Sequence, residues 1–131
     1  MSQVILATTD CEREKANALT LLTVSGDVSA NEYLIKYANA EFFQLVINAT
    51  TGGTITVKST TSVEGLMAGQ GDRVYTVATG SMYDIHGIEQ NRHKFTEAVV
   101  VGGVTISGYL KIVISAAFRG TIGVVTDDIY K

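Results

Sequence analysis

Two histidines, one cysteine and a handful of carboxylates are the residues of this chain whose types could do chemistry. The spacing of His86 and His93 matches no common zinc motif. His86 sits between Ile85 and Ile88, where a hydrogen-bonded core or surface histidine is the plain reading. His93 lies among Glu89, Arg92 and Lys94 and reads as a partner contact or a solvated side chain. Cys11 is the only cysteine. It has no partner for an internal disulfide or a Cys-based metal site, and it suits a reducing compartment. A nucleophilic cysteine needs a paired histidine, and no local motif supplies one, so Cys11 reads as a half-buried small residue.

The acids do no better. General acid–base work needs a carboxyl whose pKa is raised, usually by burial. Asp127 and Asp128 are adjacent in the tail and read as solvated, and Asp10 and Glu12 sit in a charged N-terminal stretch. There is no EF-hand pattern. Gly69-Gln70-Gly71-Asp72 lacks the Lys-Ser/Thr and helix of a phosphate loop. No Gly-x-Ser-x-Gly elbow is present. The expectation is a protein that is not an enzyme, with no catalytic residue, no cofactor and no metal.

Composition narrows what is left. The chain has 131 residues, the size of one domain. Charged residues are 18%, against about 25% in average soluble domains, while hydrophobic residues reach 46%. So little charge points to a surface partly covered by a partner. The net charge is -3, with ten scattered basic residues against thirteen acids. Phosphate binding needs clustered cations, so no nucleic-acid partner is expected. The first ten residues show no basic start followed by a long apolar run, so no signal peptide is expected. Runs such as Leu45-Val46-Ile47 and Ile112-Val113-Ile114 are strand-sized, far short of the ~20 residues of a membrane helix, so no membrane partner is expected.

The elements that would position any site are strands. Threonine, valine and isoleucine number 16, 15 and 11, and such stiff side chains suit a pleated surface. Proline is absent, so turns fall to the 13 glycines and to Asn, Asp and Ser. Strands are expected near residues 4–7, 20–24, 33–37, 41–48, 54–58, 73–77, 82–86, 98–101, 104–106, 109–114 and 121–125. Residues 41–48 are apolar in both parities, as in a central strand buried on both faces. Ile55 and Val57 alternate inward against Thr54 and Thr56. Thr50-Thr51-Gly52-Gly53 signals a hairpin, and Gly102-Gly103 a second turn. Thr9 and Glu12 have capping-box spacing, so a short helix is expected within an N-terminal arm, residues 1–15. Residues 16–131 then form one all-β domain, an antiparallel β-sandwich of jelly-roll-like form. The absence of Trp removes the strongest platform for a sugar ring. Tyr33 and Tyr37 share one strand face and read as a binding strip or as core.

From Glu41 to Asp127 the order of features resembles the small β-sandwich head-decoration, cement and head-fibre base proteins of tailed bacteriophages. The matching residues are Phe42-Phe43-Gln44-Leu45-Val46-Ile47-Asn48 and Thr51-Gly52-Gly53-Thr54-Ile55-Thr56-Val57-Lys58. Then come the glycine-rich crossing Ala68-Gly69-Gln70-Gly71-Asp72-Arg73-Val74-Tyr75-Thr76-Val77 and the polar Asn91-Arg92-His93-Lys94-Phe95. Tyr109-Leu110-Lys111-Ile112-Val113-Ile114 and Gly120-Thr121-Ile122-Gly123-Val124-Val125 close the pattern. The glycine-aspartate step before a strand, and a basic residue followed by Phe, recur in that group, whose usual prolines are missing here. The resemblance implies a structural virion protein on the capsid surface, made in the host cytoplasm. Its partner would be the major capsid protein lattice, and it would bind as a homo-oligomer, a trimer being favoured. Asp10, Glu12, Arg13, Arg92 and His93 are the expected partner contacts. The alternative is a carbohydrate- or receptor-binding sandwich.

Overall fold

The β-branched side chains do what their stiffness favours, and the computed structural model is a chain of strands. It describes residues 2–12, 14–36, 43–59, 71–86, 88 and 93–127. Among these, the strands are β1 (Ser2–Ile5), β2 (Thr8–Cys11), β3 (Leu21–Val24), β4 (Asn31–Lys36), β5 (Phe43–Thr51) and β6 (Gly53–Val57). They continue as β7 (Arg73–Val77), β8 (Ser81–His86), β9 (Val99–Val101), β10 (Val104–Ile106), β11 (Tyr109–Ile114) and β12 (Arg119–Asp127).

Two five-stranded sheets pack face to face. The first has the order β1-β4-β11-β6-β7. The second runs β2-β12-β5-β8, with β3 also pairing to β12. β12 is long enough to take two neighbours end to end on one edge. Its residues 120–123 pair antiparallel with β3 and residues 124–127 pair parallel with β2. β1 and β4 are also parallel. The sheets are therefore mixed, where antiparallel pairing throughout was expected.

One apolar cluster joins the two sheets. Tyr33, Ile35, Ile55, Leu110, Ile112 and Ile114 come from the first, and Leu45, Ile47, Ile122 and Val124 from the second. Ile55 and Val57 are fully buried, as their alternation predicts. β5 is central in its sheet, but only one face of it is core: Leu45 and Ile47 are buried while Val46 stays half exposed. A strand buried on both faces is β4. Its Leu34 packs on the far side of the first sheet with Phe95, Ile106 and Tyr109. The β9–β10 hairpin lies over that side, turning at Gly102 and Gly103, both with positive φ, as a tight two-residue hairpin requires.

Gly52 and Gly53 do not make the expected hairpin. They carry the chain from β5 in the second sheet to β6 in the first. The reason is a close crossing of backbones. A Cβ at Gly52 would lie 2.7 Å from the Val77 carbonyl oxygen, and one at Gly53 2.9 Å from Phe118 Cβ. The β7–β8 and β11–β12 connections cross between the sheets at the same end, so glycine is needed for contact rather than for a turn.

The helix expected after Thr9 is replaced at Thr8–Cys11 by strand β2. Residues 2–11 supply one strand to each sheet, and between those strands Leu6 is buried in the core. The ladder hydrogen bonds along β12 and the burial of Leu6 outweigh a capping box with little apolar face behind it.

Candidate functional site

Of the residues expected to meet a partner, the three that are described, Asp10, Glu12 and His93, are not gathered in one place. Asp10 lies on β2 at the edge of the second sheet, and its carboxylate accepts from Thr126 Oγ1 at 3.4 Å. Glu12 follows it, exposed, and pairs with Lys15 at 2.6 Å. His93 lies outside the strands, beside the first sheet, and is only 4% exposed. Its Nδ1 donates to the Lys58 carbonyl oxygen at 3.0 Å, since a carbonyl can only accept. This burial departs from the solvated side chain that was one of the two readings of His93: its side chain ties the chain to the end of β6. Arg13 and Arg92 lie outside the described residues, as do Tyr37, Gly69 and Asp128.

A small polar knot surrounds the same end of β6. Lys58 Nζ donates to Asp72 Oδ2 at 2.8 Å, and the Ser59 N–H to Asp72 Oδ1 at 2.7 Å. Partial burial alone would raise the Asp72 carboxyl, but these two donors more than offset it and hold it below the ordinary 3.8. A carboxyl depressed in the folded state stabilises the fold above its unfolded value, and that contribution is lost as pH falls through the folded one. Asp72→Asn is therefore expected to cost about 0.5 kcal/mol at neutral pH, a small figure because both groups still meet water. The difference from wild type should close below pH 3.8 in urea titrations; a gap that persists there would mean the carboxylate charge is not the cause.

The far side of the first sheet carries a second polar group against aromatics. Phe95 and Tyr109 stack with centroids 5.6 Å apart. Lys111 Nζ lies 4.5 Å from the Phe95 centroid and 4.0 Å from Glu32, whose carboxylate also accepts from Gln3 Nε2 at 3.2 Å. Burial, and then the charges of Glu97 and Glu32, push the Tyr109 hydroxyl above its usual range. The basic-residue-plus-Phe step at Lys94-Phe95 thus serves this cluster, because Phe95 is buried in it.

Among the described residues, the groups that could do chemistry are dispersed. Asp84 Oδ2 and His86 Nδ1 are 3.0 Å apart, on one exposed face of β8. Cys11 is across the second sheet, on β2, with β12 and β5 between. Three strand spacings put it about 14 Å from β8, too far for a Cys–His pair. Among the described residues no three His, Cys, Asp or Glu side chains come together as a metal site. Among them, too, no helix is long and apolar enough to cross a membrane.

What the fold does present is surface. The outer face of the second sheet carries rows fixed by strand register. One row is Thr23, Thr121, Asn48 and Met82; the next is Leu21, Gly123, Val46 and Asp84. Leu21 is 45% exposed and Met82 71%. Asp84 and His86, both on the edge strand, are the charged or titratable side chains in these rows and the adjoining Val125-Gln44-His86 row. On the opposite side of the molecule the β9–β10 hairpin shows Val100 (65% exposed) and Val104 (53%). Between β7 and β8, at the side of the sandwich, is an open cleft of about 380 Å³ lined by Val74, Tyr75, Tyr83, Asp84 and His86 among others. The Tyr83 hydroxyl accepts from the Ala78 N–H at 2.9 Å and so pins the β7–β8 turn.

Comparison of the chain with protein-family models, with curated proteins and with solved structures returns no match.

Proposed function

We propose that this sandwich works as a structural binding protein, attaching through uncharged surface to an assembled protein lattice. The observation that carries the reading is the outer face of the second sheet, exposed and built mainly from Thr, Val, Asn, Leu and Met, with Asp84 and His86 confined to its edge strand. Such a face binds by apolar burial and shape, with little charge to desolvate. The resemblance of residues 41–127 to head-decoration and cement proteins names the lattice: the capsid of a tailed bacteriophage. Weak contacts repeated by symmetry then hold firmly through effective concentration.

Leu21→Lys tests the reading on the edge of that face farthest from β8. The side chain is already exposed, so the melting temperature should stay within the range of surface substitutions. Occupancy on phage heads should fall about tenfold, the equivalent of one apolar side chain left unburied. Unchanged occupancy with an unchanged fold removes this face from the proposal.

The carbohydrate-binding reading draws on a different observation, the cleft where Tyr75 and Tyr83 stand beside Asp84 and His86. Tyr33 does not support it, because that ring is buried in the core. A glycan-array signal lost in Tyr75→Ala would favour this second reading.

A further inference from the structure

The second sheet ends at β8, and no described strand pairs with its outer edge. An edge strand shows unpaired N–H and C=O groups and is a template for another chain. Natural edges refuse partners with lysine, proline, bulges, very short strands or inward-pointing charges. β8 has none of these. Its six residues, Ser-Met-Tyr-Asp-Ile-His, contain no Lys or Pro. Its pairing with β5 runs from Gln44–His86 to Ala49–Ser81 without a bulge. Asp84 and His86 lie on the outer face and Ile85 points into the core.

We propose that β8 of one copy pairs antiparallel with β8 of a second copy, about a two-fold axis beside Ile85. This joins two five-stranded sheets into one continuous sheet. Charge chooses among the registers centred on Asp84, Ile85 and His86. Residues directly opposite in an antiparallel pair share a face, so registers that keep both cores on one side move the axis residue by residue along β8. With the axis at Ile85, Asp84 faces His86 of the second copy, and His86 faces Asp84. With the axis at Asp84, two aspartates face each other; at His86, two histidines do. Only the first alternates acid and imidazole within and between the copies, extending the Asp84–His86 contact already present in one chain. The contact is isologous and gives a dimer, so it does not by itself build the trimer that the phage resemblance implies. It stands independently of the lattice-binding reading, which concerns the sheet face rather than its edge.

Sedimentation equilibrium of the full chain tests it with a charge swap. Wild type should show a concentration-dependent monomer–dimer equilibrium. Asp84→His and His86→Asp each put like groups opposite one another at two places in the dimer. Each should weaken association about tenfold, from cross-strand pair energies. The double swap, Asp84→His with His86→Asp, should return to the wild-type constant. A monomer at every concentration overturns the proposal, as do single variants that dimerise like wild type or a double swap that stays weak. Cross-linking checks the register separately, in a Cys11→Ser background. Mixed Asp84→Cys and His86→Cys copies should form a disulfide-linked heterodimer on oxidation. Efficient linking of Asp84→Cys to itself would place the axis elsewhere and contradict this register.

Discussion

Gly120→Val is expected to abolish folding. Gly120 is the second residue of β12, at a shift in its register with β5, with φ at +147°. A side chain rarely adopts that conformation. A Cβ there would drive into the carbonyl oxygen of Asn48 and sit 3.0 Å from its carbon and 3.1 Å from the Thr50 nitrogen. All three are backbone atoms of the central strand β5, so nothing flexible can move aside. β12 holds β2, β3 and β5 together, and a shift at its start is felt by the whole second sheet. The cost should exceed about 4 kcal/mol, the range reserved for backbone strain and overpacking combined. Circular dichroism of the purified variant should show no cooperative melt. A melting temperature near that of wild type would mean that β12 does not run as described.

Phe118→Ala is the second large effect. Phe118 is fully buried and stands where the chain leaves β11 for β12. Its N–H donates to the Ser115 carbonyl oxygen at 3.3 Å, while Arg119 Nη1 closes the turn onto the Ala116 and Phe118 carbonyls, each at 2.7 Å. The ring belongs to the cluster that joins both sheets, and the tight approach of Gly53 to its Cβ leaves the site little room to collapse. Truncation should cost about 3–5 kcal/mol in urea unfolding, the transfer free energy of the ring plus that of the cavity left behind. A loss below about 1 kcal/mol, the level of a surface substitution, would place the ring outside the core.

Other positions show where the sequence was legible. The alternation at Thr54-Ile55-Thr56-Val57 had one solution, and Ile55 and Val57 are core. Gly102-Gly103 between two valine-rich runs could only be a tight turn, and it is. Gly52-Gly53 looks the same in one dimension but serves a backbone crossing, because turns and close approaches both select glycine. The difference lies in Val77, Thr79 and Phe118, which are distant in sequence. The capping-box pair Thr9 and Glu12 carried a local helix signal that tertiary pairing along β12 overrode. His93 sat among charged neighbours, yet it is buried and hydrogen-bonded to the carbonyl of Lys58, 35 residues away. The Asp84–His86 pair had a readable signal that was missed: residues two apart in a strand share a face. Which face of a sheet is left open is not local information, since it depends on where the β9–β10 hairpin lands.

The most direct test of the central claim is a saturation binding measurement on phage heads. On the proposed reading, the full chain is mixed with tailed-phage heads assembled without this protein, and bound protein is counted against major capsid protein by quantitative mass spectrometry. A surface-attached lattice protein predicts binding that saturates at a fixed whole-number ratio set by capsid symmetry, with little loss on raising salt, because, among its described residues, the proposed binding face carries charge only on its edge strand. Heads that bind none of it, or that bind it without saturation, would contradict the account.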